Sequence, residues 1–234
     1  MRLDKFLSKA TELSRSDAKK VLHRGEITVN DEIIKDGSRH IDVANDEVLW
    51  AGESLSVADG NRYLLLYKPE GFECSLKPKE HPSVVDLIAV PEVASLRMAG
   101  RLDVDTTGAL ILSDDGKFLH RVTSPKRHVA KTYQITLADP MSDELQQKAI
   151  HDVAKGILLE GETQKTCPAK LSFTDETHAT LVLTEGKYHQ VKRMMAYFGN
   201  KVIELHRANI GTINLDGLEK GECRFLTDDE IEQF

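Results

Sequence analysis

The spacing of apolar residues near the start of the chain predicts two short helices. Within residues 2–8, three large apolar side chains recur at i, i+3 and i+4, as on one face of a helix. From Ser14 to Asp17 the chain reads Ser-x-x-Asp, the form of a capping box, so a second helix is expected to begin there. Gly25 is placed to end that helix.

Apolar runs farther along the chain predict a small sheet and then a larger one. Residues 27–29 and 33–34 flank an Asn-Asp pair, which is typical of a hairpin. The other strands are predicted at residues 63–67, 109–112, 131–137, 169–173, 179–183, 202–206 and 210–213. Helices are predicted at residues 117–123, from residue 142, from about residue 187 to 198, and near the C-terminal end. This pattern indicates an α+β fold with mainly antiparallel strands.

The chain is long enough for two domains. It has 234 residues, of which 40% are hydrophobic, so a sizeable core can form. Residues 58–61 have the composition of a linker, which predicts a small domain at residues 1–58 and a larger one at residues 59–234.

Cysteine usage and hydropathy favour a soluble protein in the cytoplasm. The three cysteines show no disulfide or metal-ligand spacing, which is typical of reduced thiols in a cytosol. The first residues are charged, without the apolar centre of a signal peptide, and the apolar runs are far shorter than a bilayer span. We therefore expect no membrane association.

Charge is distributed unevenly along the chain. The net charge is −7, yet residues 1–25 carry seven Lys or Arg against three acids, and residues 26–60 carry two against nine. Residues 117–131 carry five basic residues and no acid. An acidic protein can still present basic surfaces to a phosphate backbone, so a nucleic-acid partner remains compatible with this composition.

The segment with the most chemical groups is the loop from Gly100 to Gly108. It combines Arg101, two carboxylates and two threonines just before a buried strand, more functional groups than a simple connection needs. Taken alone, the two carboxylates could merely accept hydrogen bonds from loop amides. However, the order Arg-Leu-Asp, two variable residues, Thr, one residue and Gly resembles the catalytic loop of the pseudouridine synthases.

Two further motifs and the N-terminal segment extend this resemblance. Lys68-Pro69-Glu70-Gly71 is similar to the family's first motif, and residues 186–193, Gly-Lys-Tyr-His-Gln-Val-Lys-Arg, are similar to its third. Residues 1–58 resemble the S4 RNA-binding module, whose RNA-binding residues would here be Arg2, Lys5, Arg15, Lys19 and Lys20. The combination is similar to the RsuA branch. It implies a monomeric isomerase that modifies a uridine in small-subunit (16S) ribosomal RNA, within an assembling subunit.

The resemblance assigns roles to individual residues. Asp103 takes the position of the nucleophile, and the pairing cation is usually an arginine where this chain has Lys192. Position favours Lys192, although Arg193 remains an alternative, since a lysine cannot form a bidentate fork. On a helix His189, Lys192 and Arg193 would share one face. Tyr133 matches the family's tyrosine, able to stack on uracil and to transfer a proton, or it is simply packed in a strand.

The remaining predicted contacts are with the substrate. The residues expected to bind it are Arg101, Lys68, His189 and Arg193. Arg101 could contact a phosphate or fill the gap left by a flipped base. Uridine isomerisation requires no redox partner or metal, and the chain lacks a P-loop, a dinucleotide fingerprint and metal-ligand spacing, so no cofactor is expected.

Three other functions remain open. Asp103, Asp105, Asp114 and Asp115 could form a metal site for phosphoester hydrolysis, although the cation of Lys192 would not assist it. The protein could instead be a non-catalytic ribosome-binding factor that uses its S4-like segment. It could also be a large-subunit ribosomal RNA synthase of the same branch.

Overall fold

The computed structural model describes residues 1–11, 13–43, 45–56, 60–90 and 93–234. The chain divides into two compact units, Met1–Asn61 with Val90–Ser95, and Arg62–Ala89 with Leu96–Phe234. Two residues of the predicted linker, Ala58 and Asp59, lie outside the described residues. The predicted domain boundary between them therefore stays a prediction.

The N-terminal unit contains two helices and a four-stranded antiparallel sheet. Its elements are α1 Leu3–Ala10, α2 Arg15–Arg24, β1 Ile27–Val29, β2 Glu32–Ile33, β3 Val48–Trp50 and β4 Glu53–Leu55. The strand order is β2-β1-β3-β4. The apolar stripe predicted on α1 is fully buried against that of α2 and the inward residues of β1, which confirms the helical spacing.

Local sequence signals end and connect these elements as expected. The Ser14 hydroxyl oxygen accepts a hydrogen bond from the Asp17 N–H at 3.1 Å, which satisfies a free amide at the start of α2. Gly25 ends α2 with a φ of 77°, in the left-handed region that glycine adopts without strain. Asn30 and Asp31 both have positive φ and form the predicted tight turn between β1 and β2.

The second unit is built on an eight-stranded mixed sheet. Its strands are β5 Tyr63–Lys68, β6 Arg97–Met98, β7 Thr106–Ser113, β8 Lys131–Leu137, β9 Lys170–Phe173, β10 His178–Leu183, β11 Val202–Ile210 and β12 Cys223–Phe225. The helices are α3 Gly116–Thr123, α4 Asp143–Lys155, α5 Gln190–Tyr197 and α6 Asp228–Glu232. The strand order is β12-β5-β7-β11-β8-β10-β9, with β6 beside β7. Of the pairs between these strands, only β7 with β11 is parallel, so the α+β prediction with mainly antiparallel strands is confirmed.

Two details of the sheet differ from the predicted pattern. One strand, β11, runs to Ile210, where the pattern predicted two strands at residues 202–206 and 210–213. Residues 210–213 form a turn, in which the Ile213 N–H donates to the Ile210 carbonyl at 3.1 Å. The short strands β6 and β12 were not predicted, because two or three residues carry too little periodicity.

Apolar side chains of the second unit form two buried clusters. One contains the inward residues of β8, β10, α4 and α5, including Met194 and Met195. The other contains residues of β5, β7 and α3, with Phe118 at its centre. None of the helices in the described ranges is long and apolar enough to cross a membrane.

The parallel pairing of β7 with β11 depends on Gly108. This residue lies opposite Arg207, with a φ of 117° that side chains rarely adopt. A Cβ atom on Gly108 would collide with the backbone of Arg207. The two strands therefore approach closely only because this position has no side chain.

We predict that Gly108→Ala destabilises the protein, because it adds both backbone strain and a collision between two central strands. The free energy of unfolding should fall by at least about 2 kcal/mol in urea denaturation. Gly116→Ala is the matched control, since Gly116 is the first residue of α3 and has open space around its Cβ position. That change should be neutral or stabilise by up to ~1 kcal/mol. Equal effects of the two changes would contradict the role of Gly108.

Candidate active site

A cavity of about 670 Å³ lies in the second unit, at the end of the sheet where β7 begins. It is formed by residues 73–79, the loop at residues 99–104, β8, β11 and the segment from residue 185 to 192. Its lining includes seven Lys or Arg and three acids, in contrast to the net charge of the chain. The basic residues are Lys77, Lys79, Arg101, Lys131, Lys187, Lys192 and Arg207.

Asp103 lies in this cavity and contacts two groups of the third motif. Its side chain is 30% exposed. The Oδ1 atom is 3.3 Å from Nε2 of His189, and the Oδ2 atom is 3.4 Å from Nζ of Lys192. The structure thus brings together three residues that the sequence places in two distant motifs.

Lys192 lies between two carboxylates. Its Nζ atom is 2.6 Å and 2.8 Å from the two carboxylate oxygens of Asp105, closer than to Asp103. Burial by itself lowers the pKa of Lys192, but the hydrogen bond to Asp105 and the charge of Asp103 outweigh it and raise the pKa. Lys192 therefore carries its charge at neutral pH.

Arg193 pairs with Glu162 and, within the described residues, forms no ion pair with Asp103, in contrast to Lys192. Its guanidinium is 3.0 Å from Oε1 of Glu162 and donates to the carbonyl of Tyr188 at 3.1 Å. Since α5 begins at Gln190 and His189 has a left-handed φ of 46°, the predicted shared helical face of His189, Lys192 and Arg193 is not formed. Of the two candidate cations, the structure places Lys192 beside Asp103.

Gln190 holds the third motif in its conformation, a role that the sequence did not predict. Its side chain is buried, and its Nε2 donates to Glu185 at 2.8 Å while its Oε1 accepts from the Lys187 N–H at 2.8 Å. Glu162 accepts from Lys187 as well as from Arg193. These bonds hold the turn that carries His189 and Lys192 toward Asp103.

Lys68 lies beneath the loop of Asp103 and outside the described cavity lining. It is fully buried, and its Nζ donates to three carbonyl oxygens, those of Pro69 at 2.9 Å, Val104 at 3.3 Å and Thr106 at 2.7 Å. Burial lowers the pKa of Lys68. Its bonds join the first motif to the loop that positions Asp103.

Tyr133 and Arg101 both line the cavity. Tyr133 lies on β8 and is 8% exposed, so only a small part of its ring is accessible from the cavity. Arg101 is exposed at the cavity, two residues before Asp103. Both predicted contacts are therefore placed where a ligand of the cavity could reach them.

The cavity residues that were not predicted as site residues include Thr106, Lys131 and Arg207. Arg207 is 2% exposed, and its Nε donates to the Ala109 carbonyl at 2.7 Å. Burial, together with the charge of Arg207, lowers the pKa of Lys131 to about 8. The sequence did contain a signal, because Arg207 follows the apolar Leu205 on the inward face of a strand, where a charge is rare.

The alternative metal site of four aspartates is wrong. Asp103 and Asp105 precede β7, whereas Asp114 and Asp115 follow it, which separates the pairs by roughly 25 Å. Asp114 bonds to Arg62, and Asp115 accepts from the first amides of α3. The described part of the chain contains no cluster of His, Cys, Asp and Glu suited to a metal ion.

The five predicted RNA-binding residues are exposed on or beside the first two helices; they are Arg2, Lys5, Arg15, Lys19 and Lys20. Arg2 forms two hydrogen bonds to the buried Asp4, and Lys20 is 2.8 Å from Asp17. Within the described ranges, the side chains of Lys5, Arg15 and Lys19 form no hydrogen bond or ion pair. Their charges are therefore available to a partner.

Comparisons with known proteins agree on the class of this site. The RNA pseudouridylate synthase family matches residues 62–197, and the S4 domain matches residues 1–48. The chain is 47% identical to ribosomal small subunit pseudouridine synthase A of Pasteurella multocida, covering 100% of this chain and 99% of the relative. It is 41% identical to the protein of the same name from Escherichia coli K12, covering 99% and 98%.

A solved structure gives the same result. A crystal structure of a pseudouridylate synthase superimposes with a TM-score of 0.68 at 45% identity, covering 99% of this chain and 98% of that one. Its fold and sequence are thus similar over both units. The chain belongs to the RNA pseudouridylate synthase family and carries an S4 domain at its N-terminal end.

Proposed function

We propose that this isomerase converts a specific uridine of small-subunit (16S) ribosomal RNA to pseudouridine, with Asp103 as the nucleophile. The observation that carries the proposal is the position of Asp103 in a basic cavity, in contact with both His189 and Lys192. The relatives named above act on the small ribosomal subunit by their names, which supports a small-subunit RNA over a large-subunit RNA as the substrate.

The reaction replaces the bond between C1′ and N1 of the uracil by a bond between C1′ and C5. An oxygen of Asp103 attacks C1′ of the ribose, and the electron pair of the C1′–N1 bond leaves with the base. The base then turns and C5 bonds to C1′, which releases the carboxylate. A proton leaves C5 and another is gained at N1, so that the product is an isomer of the substrate.

The cavity residues supply what these steps require. A uridine inside a folded RNA has to be extruded before Asp103 can reach C1′, and the cavity volume lies within the range typical of ligand sites. To Tyr133 we assign stacking on the extruded base and proton transfer by its hydroxyl, and its place in the cavity lining supports this role. To Arg101, exposed at the cavity, we assign contact with a phosphate or with the gap in the RNA.

We assign the pairing cation to Lys192. Its charge lies on the Oδ2 side of Asp103, where it stabilises the carboxylate before attack and after release. Arg193 and Lys187 instead bind Glu162 and support the turn of the third motif. Lys68 supports the Asp103 loop from below, through its bonds to backbone carbonyls.

The S4 domain is proposed to dock the RNA. Phosphate contacts position a nucleic acid and release counterions, and the exposed cations of α1 and α2 are suited to such contacts. A cytoplasmic location, an assembling subunit as the substrate and a monomeric enzyme stay predictions.

We predict that Asp103→Asn abolishes isomerisation, because an amide cannot act as the nucleophile. Cells that lack the protein should lose one pseudouridine from small-subunit ribosomal RNA, and the wild-type chain, but not this variant, should restore it in a pseudouridine map. In vitro the single-turnover rate should fall at least roughly 10³-fold with RNA affinity nearly unchanged.

Asp105→Asn is the control for this prediction. Asp105 is 69% exposed, so its pair with Lys192 contributes little energy, and the rate should fall by less than about tenfold. Substantial turnover by Asp103→Asn would disprove the nucleophile assignment. Loss of a large-subunit modification instead would disprove the substrate assignment.

We predict that Lys192→Met lowers the single-turnover rate by about 10²-fold or more, since it removes the charge beside Asp103. Lys192→Arg should retain most of the rate, because the charge remains. Arg193→Met is the control. It should lower the melting temperature, because its bonds to Glu162 are lost, and should have only a small effect on the single-turnover rate. The assignment fails if Arg193→Met loses the rate while Lys192→Met keeps it.

We predict that the combined change Lys5→Ala, Arg15→Ala and Lys19→Ala in the full chain weakens RNA binding and flattens its salt dependence. The slope of log affinity against log salt should fall by roughly 0.7–0.9 for each phosphate that is no longer neutralised. Saturating RNA should restore the single-turnover rate. The control removes three exposed lysines of the second unit, Lys155, Lys165 and Lys170. Equal salt slopes for the two triple variants would contradict docking by the S4 domain.

A further inference from the structure

Two buried side-chain polar atoms lack hydrogen-bond partners in the part of the chain that the structure describes, and both belong to cavity residues. They are Nη2 of Arg207 and Oγ1 of Thr106. Arg207 is 2% exposed and Thr106 is 1% exposed. Burial of a polar group without a partner costs free energy, so two such groups beside one cavity indicate a ligand that pairs with them.

Lys68 shows how this fold satisfies a cation that has only a structural role. It is as deeply buried as Arg207, yet its Nζ donates to three backbone carbonyls. Arg207 uses only Nε in a described hydrogen bond to the backbone, at the Ala109 carbonyl, and forms no ion pair with a described carboxylate. Arg207 therefore brings to the cavity a positive charge that no described carboxylate pairs with.

Sheet pairing places both residues on strands at the Asp103 end of the cavity. On β11, Arg207 lies opposite Tyr133 of β8, and Leu205, two residues earlier, lies opposite Thr106 of β7. The Thr106 N–H in turn donates to the Asp103 carbonyl at 3.1 Å. A base that stacks on Tyr133 while its ribose faces Asp103 therefore has Arg207 and Thr106 within the same wall of the cavity.

Lys131 adds a second cation to this wall. It lies on β8 two residues from Tyr133, and its Nζ donates to the Val129 carbonyl at 3.2 Å. Burial, with a further contribution from the charge of Arg207, lowers its pKa to about 8. The fold thus concentrates positive charge where the base is expected to enter.

A flipped uracil has acceptor groups that can pair with Arg207 and Thr106. It offers two carbonyl oxygens as acceptors, and when the C1′–N1 bond breaks its electron pair is delocalised from N1 onto those oxygens. A donor that is already oriented and desolvated stabilises such charge more strongly in the transition state than in the ground state. A backbone phosphate is also an acceptor, but it stays with the RNA chain while the base enters the cavity.

We propose that Arg207, through Nη2, binds a carbonyl oxygen of the flipped uracil and stabilises the negative charge that develops on the base as the glycosidic bond breaks. The Thr106 hydroxyl is a second donor to the same base. This role rests on the proposed function, since it requires that a uracil be detached in this cavity.

The first test measures stability and rate together. Arg207→Met keeps the apolar stem and removes the charge, so the melting temperature should be unchanged or higher, because a buried unpaired charge is removed. The single-turnover rate at saturating RNA should fall about 10²-fold or more, with RNA affinity within about threefold of wild type. Thr106→Val should lower the rate by a smaller factor. Lys68→Met is the structural comparison and should lower the melting temperature.

The second test separates charge stabilisation from packing. Substrate RNA with 5-fluorouridine at the target carries a base whose fluorine already withdraws electron density, so it needs less stabilisation on leaving. The rate loss caused by Arg207→Met, measured as consumption of the target nucleotide, should be several-fold smaller for this RNA than for uridine RNA. Equal losses for both RNAs would overturn the charge role, and Arg207→Met with wild-type turnover would overturn the contact itself.

Failure of this inference differs from failure of the proposed function. If the proposed function is wrong, wild-type protein forms no pseudouridine or Asp103→Asn stays active. If only the role of Arg207 is wrong, wild-type protein is active, Asp103→Asn is inactive, and Arg207→Met keeps its rate or loses it together with its folded structure.

Discussion

The close parallel contact of β7 with β11 is the constraint on which the site depends. Gly108 lets the two backbones approach where any side chain would collide with Arg207. This contact sets β11 beside the start of β7, and β11 in turn pairs with β8, which carries Tyr133. The Asp103 loop, Tyr133 and Arg207 therefore lie on or beside three strands, β7, β8 and β11, whose close packing depends on one glycine. A site built on adjacent central strands is also held more rigidly than one built on loops alone.

Two buried cations at this site, Lys68 and Arg207, differ in how their donors are hydrogen-bonded. Lys68 is neutralised by backbone carbonyls and joins the first motif to the Asp103 loop, so its contribution is to local structure. Arg207 is left with a donor unused beside the cavity. The free energy that an unsatisfied donor costs is recovered only when a ligand accepts from it. This difference in hydrogen bonding, more than burial itself, separates a supporting cation from one that is available for chemistry.

The sequence was sufficient for most elements and for the pairing of motifs. Helical spacing and capping residues predicted α1, α2 and α4, and the resemblance brought Asp103 and Lys192 together. It was insufficient where contacts are non-local. The choice between Lys192 and Arg193 depends on Glu162, about thirty residues away, and on the left-handed φ of His189, which displaces it from the helix. A partner in another loop and a left-handed backbone conformation produce no periodic pattern in the sequence, so neither could be predicted from it.

The basic cavity illustrates the same limit at the level of charge. Its seven Lys and Arg come from segments scattered between residues 77 and 207, so no window of the acidic chain reveals them as a group. The S4 domain, in contrast, concentrates its cations on two consecutive helices, where the sequence shows them directly. An exposed basic surface can be formed by neighbouring residues of one or two helices. A cavity that encloses a ligand needs side chains on several sides, and here the sheet supplies them by joining segments that are distant in the chain.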